Sequence, residues 1–196
     1  MTAVPRAAPG PVIGVLLAAG ASTRFGTQDK LLHPVGDRPL LHWSARALLS
    51  SGCDRVLAVV SSDRVAEAMP VGIQPISIAP GLPMAQSFQV AIAAARQEGA
   101  ARLLIALADM PGISAALLRR LLDLSGDAAC QCDGRRLPPV VLSAASFDRA
   151  MKLAQGDRGA RALIANLPSS QILPIPASAA LDVDRPEDLD GLNAPG

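Results

Sequence analysis

The sequence predicts an α/β protein whose mostly parallel central sheet is covered by helices on both faces. Short aliphatic runs alternate with helical patterns along the first two thirds of the chain, and this alternation is typical of βαβ units. Half of the residues are apolar but only 2% are aromatic, which suits layered helices and buried strands. With 196 residues, the chain has the usual size of one domain.

Four strands and four helices are predicted before residue 126. In chain order they are strand Val12–Ala19, helix Leu40–Ser51, strand Arg55–Ser61, helix Arg64–Met69, strand Ile73–Ile78, helix Met84–Gln97, strand Arg102–Leu107 and helix Ser114–Leu124. Gly52 and Gly99 lie just past the ends of two of these helices. A left-handed C-terminal cap favours glycine, so both positions support the predicted boundaries.

The pattern is looser after residue 126. The predicted features are a polar loop around Gly134-Arg135-Arg136, a short strand Val140–Leu142, two helices separated by residues 156–159, extended segments at Ile172–Ile175 and Leu181–Val183, and a short helix opened by Pro186. Residues 1–11 are rich in Ala and Pro and lack periodicity, which predicts a mobile tail. Residues 12–196 are then expected to form a single domain.

Charge and cysteine content exclude several kinds of partner. The net charge of +1 comes from 18 basic and 17 acidic residues scattered along the chain, so no basic surface for nucleic acid is expected. No apolar stretch reaches the roughly 20 residues of a membrane span, so no membrane contact is expected. Cys53, Cys130 and Cys132 lack paired spacing, which indicates reduced thiols in a cytoplasmic protein.

The loop after the first predicted strand carries the strongest functional signal. It reads Leu17-Ala18-Ala19-Gly20-Ala21-Ser22-Thr23-Arg24-Phe25-Gly26, and Lys30 follows. Small residues let the backbone approach a ligand, and consecutive N–H groups can cradle phosphate oxygens. The cations Arg24 and Lys30 suit a triphosphate and a leaving pyrophosphate. The candidate nucleotide-binding residues here are Leu17, Ala18, Ala19, Gly20, Ser22, Arg24 and Lys30.

The spacing of this loop matches neither a Walker A loop nor the G-x-G-x-x-G of a dinucleotide fold. A different nucleotide-binding fold is therefore indicated. The alternative is a surface loop whose small residues only turn the chain.

Four motifs in order resemble those of the MobA-like family of nucleotidyltransferases. They are the first loop with Lys30, Ala108-Asp109-Met110-Pro111, residues 156–161 (Gly-Asp-Arg-Gly-Ala-Arg), and residues 182–188 (Asp-Val-Asp-Arg-Pro-Glu-Asp). The resemblance implies a three-layer α/β/α fold with a Rossmann-like, mostly parallel sheet of the nucleotide-diphospho-sugar transferase type. It also implies transfer of a nucleoside monophosphate with release of pyrophosphate.

Asp109 directly follows an apolar run, which places its carboxylate at the C-terminal edge of a central strand, where open α/β sheets bind ligands. Such an oxygen suits Mg²⁺. The resemblance implies that Asp109 holds a metal bridging the nucleotide phosphates and that Asp184 is a second metal contact. The expected metal is Mg²⁺, with Mn²⁺ as the alternative. The rival interpretations are a helix N-cap for Asp109 and a capping group before Pro186 for Asp184.

The resemblance further implies catalysis by positioning and electrostatics, without a protein nucleophile. Arg24, Lys30 and Asp109 are the expected catalytic residues. Ser87 is the candidate contact to base and ribose, or alternatively an ordinary first-turn helix residue. Asp157 and Arg161 are the candidate acceptor contacts, the alternative being a helix cap and a solvated helix face.

The first loop reads Ala18-Ala19-Gly20, which resembles the MocA type, the molybdenum cofactor cytidylyltransferases. This implies CTP and molybdopterin as substrates, and a molybdoenzyme or its chaperone as a further partner. The alternatives are a guanylyltransferase for the same cofactor, a transferase for another phosphorylated metabolite, and a non-catalytic chaperone that binds the cofactor. The chain departs from the family at Arg136-Leu137-Pro138-Pro139, which bears on acceptor recognition, and at Met110, which bears on the metal's surroundings.

Overall fold

The computed structural model describes residues 10–20, 25, 29–156 and 161–189. The strands are β1 Val12–Ala18, β2 Pro34–Val35, β3 Arg38–Pro39, β4 Arg55–Val60, β5 Ile73–Ser77, β6 Arg102–Leu107, β7 Ala128–Cys132, β8 Arg135–Ser143 and β9 Ile172–Pro174. The α-helices are α1 Leu41–Leu49, α2 Asp63–Glu67, α3 Met84–Gln97, α4 Ala115–Asp123, α5 Phe147–Leu153, α6 Arg161–Ile164 and α7 Ala177–Ala180. Short 3-10 helices include Lys30–Leu32 and Pro186–Leu189.

The central sheet has the strand order β5-β4-β1-β6-β8-β7-β9. Strands β5, β4, β1 and β6 run parallel to one another, whereas β8 runs antiparallel to both β6 and β7. The last strand, β9, is parallel to β7. The sheet is therefore mostly parallel, as the sequence predicts, and β1 lies among the parallel strands.

Two apolar clusters show that helices cover both faces of the sheet. Successive residues of a strand point to opposite faces, and β1 follows this rule: Leu16 lies in one cluster and Val15 in the other. The first cluster includes residues of α1 and α4, and the second includes residues of α3, α5 and α6. The predicted three-layer α/β/α architecture is thus confirmed.

The predicted polar loop after residue 126 is wrong. Residues 128–143 form the antiparallel hairpin β7–β8, whose turn places Asp133 at φ 48° and Gly134 at φ 75°. Two consecutive residues with positive φ form the tight turn that suits the twist of a hairpin, and Asp-Gly is a favoured sequence for it. The predicted strand Val140–Leu142 is the C-terminal part of the longer β8.

The other differences are local. Helix α7 was not predicted, and residues 181–183, predicted as extended, belong to no strand of the sheet. Gly52 and Gly99 have φ of 93° and 66°, so both glycines adopt the predicted left-handed conformation. Residues 1–9 and 190–196 lie outside the described residues, and the predicted tail and domain limits stay predictions. Within the described residues, no helix is long and apolar enough to cross a membrane.

Candidate active site

A cavity of about 770 Å³ opens at the carboxyl ends of β1 and β6, which are adjacent in the sheet, with Leu17 opposite Leu107. Its wall includes nine residues that the sequence proposes for the site: Leu17, Ala18, Ala19, Gly20, Lys30, Ser87, Asp109, Arg161 and Asp184. Ser22, Arg24 and Asp157 lie outside the described residues. The cavity therefore collects groups from five distant parts of the chain at the edge where open α/β sheets bind ligands.

Lys30 connects the two acidic segments of this cavity. Its Nζ donates to Oδ2 of Asp109 at 2.7 Å, to the carbonyl oxygen of Val183 at 2.8 Å and to Oδ1 of Asp184 at 3.3 Å. The Lys30 side chain is only 8% exposed. An ammonium group has three N–H donors, and the three oxygens surround it as they would surround a metal cation.

Burial and the neighbouring charges together set the pKa values of Lys30 and Asp109. Burial lowers the pKa of Lys30, but Asp109 and Asp184 outweigh it and raise that pKa above its ordinary value. Burial also raises the pKa of Asp109, and Lys30 opposes this rise without cancelling it. The charge of Asp182 adds to the rise. A carboxylate in such surroundings needs a cation beside it to remain ionised, and here Lys30 is that cation.

Asp109 does not cap the helix that follows it. The N-cap of α4 is Ser114, whose side chain accepts from the backbone N–H of Leu117 at 3.2 Å. The carbonyl of Asp109 instead accepts from the N–H of Val183 at 2.9 Å. The loop after β6 is therefore bonded directly to the segment that carries Asp184.

The Asp184 side chain is about half exposed, at 51%. Asp188 holds the backbone around it, because its Oδ2 accepts from the N–H groups of Asp184 and Arg185, both at 2.8 Å. These two bonds lower the pKa of Asp188. The side chain that caps this turn is therefore Asp188, and the Asp184 carboxylate faces Lys30.

Asp109 and Asp184 fit a hard divalent cation. Both carboxylates lie within hydrogen-bonding distance of one nitrogen atom, and carboxylate oxygens are ligands that Mg²⁺ and Mn²⁺ prefer. The described residues contain no cluster of three or more metal-binding side chains of His, Cys, Asp or Glu. Among the described residues, Asp109 and Asp184 would supply the carboxylates for a metal held here.

Helix α3 forms another wall of the cavity. Ser87 lies in its first turn, is 5% exposed and lines the cavity, so it is both a first-turn residue and part of the site. The N-cap, Pro83, makes no side-chain capping bond. Leu82 and Met84 also line the cavity and are exposed by 41% and 47%. Leu82 and Met84 give this wall an apolar surface next to the charged groups of Lys30, Asp109 and Asp184.

Seven of the sixteen residues that line this cavity were not proposed from the sequence, among them Leu82, Met84 and Asp182. Leu82 lies just before α3 and Met84 begins it, whereas the sequence proposes only Ser87 from this region. Asp182 lines the same cavity, and its alternation with Asp184 was a usable signal, since residues two apart in an extended segment share a face.

Arg161 begins α6 and lines both the main cavity and a smaller cavity of about 390 Å³. Arg136, on β8, lines the smaller cavity as well. Its Nη1 donates to the carbonyls of Ile164 and Ala165, both at 2.7 Å. The segment in which the sequence departs from the family pattern therefore holds the end of the helix that carries Arg161.

Comparison with known proteins identifies the family of this chain. Residues 14–172 match the model of the MobA-like NTP transferase domain. A protein of Rhodopirellula baltica described as a probable molybdenum cofactor guanylyltransferase is 32% identical over 202 residues, covering 96% of this chain and 95% of its own. Nicotine blue oxidoreductase of Paenarthrobacter nicotinovorans is 32% identical over 171 residues, covering 80% and 83%.

Among solved structures, Rv0371c of Mycobacterium tuberculosis H37Rv has a TM-score of 0.78 at 26% identity, covering 92% of this chain and 96% of its own. A second structure of Rv0371c, in complex with manganese, has a TM-score of 0.76 at 25% identity, covering 93% and 100%. The family model covers most of the chain and the fold agrees with these structures, so this chain belongs to the MobA-like NTP transferase family.

Proposed function

We propose that this protein transfers CMP from CTP to molybdopterin and releases pyrophosphate. Its family supports a nucleotidyltransferase; the base and the acceptor are the proposed part. The observation that carries the proposal is the contact of Lys30 with Asp109 and Asp184 in a cavity walled by a small-residue loop. A buried cation between two carboxylates, beside backbone that a phosphate can approach, suits nucleotidyl transfer.

In this proposal Asp109 and Asp184 hold the divalent metal. When bound, the metal would neutralise charge on the phosphates of the nucleotide. An oxygen of the acceptor's terminal phosphate attacks the α-phosphorus, and the bond from that phosphorus to the bridging oxygen of pyrophosphate breaks. Lys30, together with Arg24, stabilises the negative charge that develops on the leaving pyrophosphate. Asp157 and Arg161 are the proposed contacts to the acceptor.

The choice of CTP rests on the first loop. Ala19 is 9% exposed and packs in the same apolar cluster as α3, so its methyl group takes up space where a glycine would leave room. A narrower pocket favours a pyrimidine, although one methyl group decides only about 1–3 kcal/mol. GTP is the second candidate, because the Rhodopirellula relative is described as a guanylyltransferase.

The test is pyrophosphate release by the purified protein with molybdopterin, comparing CTP, GTP, ATP and UTP with Mg²⁺ and with Mn²⁺. Asp109→Asn removes a proposed metal ligand, and Asp123→Asn, at the exposed end of α4, is the matched control. We expect release with CTP, lost in Asp109→Asn and retained in Asp123→Asn. Release with GTP instead of CTP would support the same transfer mechanism with guanine, not cytosine, as the base.

Absence of release with every nucleotide would contradict the proposal for this acceptor. Measurements of molybdopterin binding and nucleotide binding would then distinguish two explanations. Tight binding of molybdopterin without turnover would favour a cofactor-binding chaperone, whereas nucleotide binding without molybdopterin binding would point to another phosphorylated acceptor. The oxidoreductase among the relatives adds a reason to measure transfer directly, because family membership alone does not fix the reaction.

A further inference from the structure

The segment that carries Asp184 depends on a few specific bonds for its shape. Residues 181–184 form neither helix nor strand. On the upstream side, Val183 is fully buried, and its N–H is bonded to the carbonyl of Asp109. On the downstream side, the chain is held by the carboxylate of Asp188, which accepts from the N–H groups of Asp184 and Arg185.

These two bonds restrain the direction of the Asp184 side chain. The N–H of Asp184 belongs to the peptide plane before its Cα, and the N–H of Arg185 belongs to the peptide plane after it. One oxygen of Asp188 accepts from both at 2.8 Å. Because each peptide is planar, fixing both planes fixes the Cα–Cβ direction between them.

We infer that Asp188 is a positioning residue that aims the Asp184 carboxylate at the cation held with Asp109. This inference rests on the metal role that the proposed function gives to Asp184. Outer partners that orient a metal ligand typically contribute 10–100-fold to metal affinity. A simple cap of the four-residue helix Pro186–Leu189 would act on that turn alone and would leave cation affinity unchanged.

The experiment measures the affinity of the purified full chain for Mn²⁺, without nucleotide or acceptor, by electron paramagnetic resonance of the free ion. Asp188→Ala removes the acceptor, Asp188→Asn keeps a carbonyl oxygen there, and Glu187→Gln removes a charge at the neighbouring exposed residue. We expect about tenfold weaker binding for Asp188→Ala. Asp188→Asn should recover most of that loss, and Glu187→Gln should stay within about twofold of wild type.

Asp184→Ala and the double variant Asp184→Ala/Asp188→Ala complete the test. Because Asp188 acts through Asp184, the double variant should bind Mn²⁺ no more weakly than Asp184→Ala alone. If Asp184→Ala binds normally, both the metal role and the positioning role fail. If Asp184→Ala binds weakly while Asp188→Ala merely matches Glu187→Gln, the positioning role alone fails. Thermal unfolding of each variant verifies that it is folded.

Discussion

The ammonium nitrogen of Lys30 lies 2.7 Å from Oδ2 of Asp109, although the two residues are 79 positions apart in the chain. The same nitrogen reaches Oδ1 of Asp184. Lys30 therefore occupies the position between the carboxylates in which a divalent cation would bind. Under the proposed function, lysine and metal would compete for the same oxygens, and Lys30 would then be released to contact the phosphates.

Replacing Lys30 by Met should strengthen Mn²⁺ binding and abolish nucleotidyl transfer. The first effect follows because the ammonium no longer competes for the carboxylates, and we expect about tenfold tighter binding from the loss of a charge so close. The second follows because the charge that stabilises pyrophosphate is gone. Without metal, the loss of the lysine beside the buried Asp109 carboxylate should also lower the melting temperature, and Mn²⁺ should restore it.

Arg161→Met is the matched control, since it removes a positive charge from the wall of the same cavity but from an exposed position. Its Mn²⁺ affinity should change by no more than about twofold, because solvent screens an exposed charge. Mn²⁺ binding that is weaker in Lys30→Met than in wild type would contradict the competition between lysine and metal.

Ser44→Ala should destabilise the protein and reduce activity. Ser44 is 1% exposed, and its hydroxyl donates to the carbonyl of Met110 at 2.8 Å, directly after Asp109. Without this donor the carbonyl of Met110 retains the bond from the N–H of Ile113 at 3.2 Å but loses the one from the hydroxyl, at a cost of about 1 kcal/mol. Ser50→Ala, at the exposed C-cap of the same helix, should stay within about 0.5 kcal/mol.

Chemical denaturation of the two serine variants measures this difference, and pyrophosphate release measures its effect on the loop of Asp109. A loss of stability in Ser44→Ala no larger than in Ser50→Ala would show that the bond contributes little.

The sequence predicted the parts of the fold that rest on local patterns. Helix α3 and strand β6 match their predicted bounds, because each is an uninterrupted pattern ended by Gly or by polar residues. The sequence pattern predicts a loop in place of the hairpin β7–β8, because Ala128–Cys132 carries small and polar residues that do not alternate as a strand would. The decisive signal was the turn dipeptide Asp133-Gly134 rather than the strand composition.

Only part of the site was predictable from the sequence. That Asp109 and Lys30 share one cavity follows from strand ends that meet at one edge of a parallel sheet. The bond from Lys30 to the carbonyl of Val183, by contrast, depends on how the last segment docks against the loop after β6. Such a long-range backbone contact leaves no local pattern in the sequence, and the same holds for the hydroxyl of Ser44.

Gly112→Ala should destabilise the junction between the two acidic segments. A methyl group added at Gly112 would clash with the carbonyl oxygen of Ser178 and would lie 2.9 Å from the Cα of Ala179. Both are contacts with backbone, which cannot rotate away, and overpacking of this kind typically costs about 1–3 kcal/mol. The displacement of α7 would also move the segment that follows it, which carries Asp184, so activity should fall together with stability.

Gly20→Ala is the control for stability, because no atom of the described residues lies within 4 Å of a methyl added there. The free energies of unfolding of both variants, from guanidinium titrations, make the comparison. Equal stability of the two variants would show that α7 moves away without cost.

Cys130 should resist alkylation in the folded protein and should make stability fall at alkaline pH. It is fully buried, and burial raises the pKa of its thiol to about 12, whereas an unfolded cysteine ionises near about 8.5. Because only the thiolate reacts, iodoacetamide at pH 8 should modify Cys130 only in denaturant, while the partly exposed Cys53 should react more readily in the folded state.

Between the folded and unfolded pKa values of Cys130 the folded state binds more protons than the unfolded state, so stability declines as pH rises above about 8.5. Relative to Cys130→Ala, wild type should lose about 1–2 kcal/mol between pH 8 and pH 10, as guanidinium titrations would measure; equal native labelling of Cys130 and Cys53 would contradict its burial.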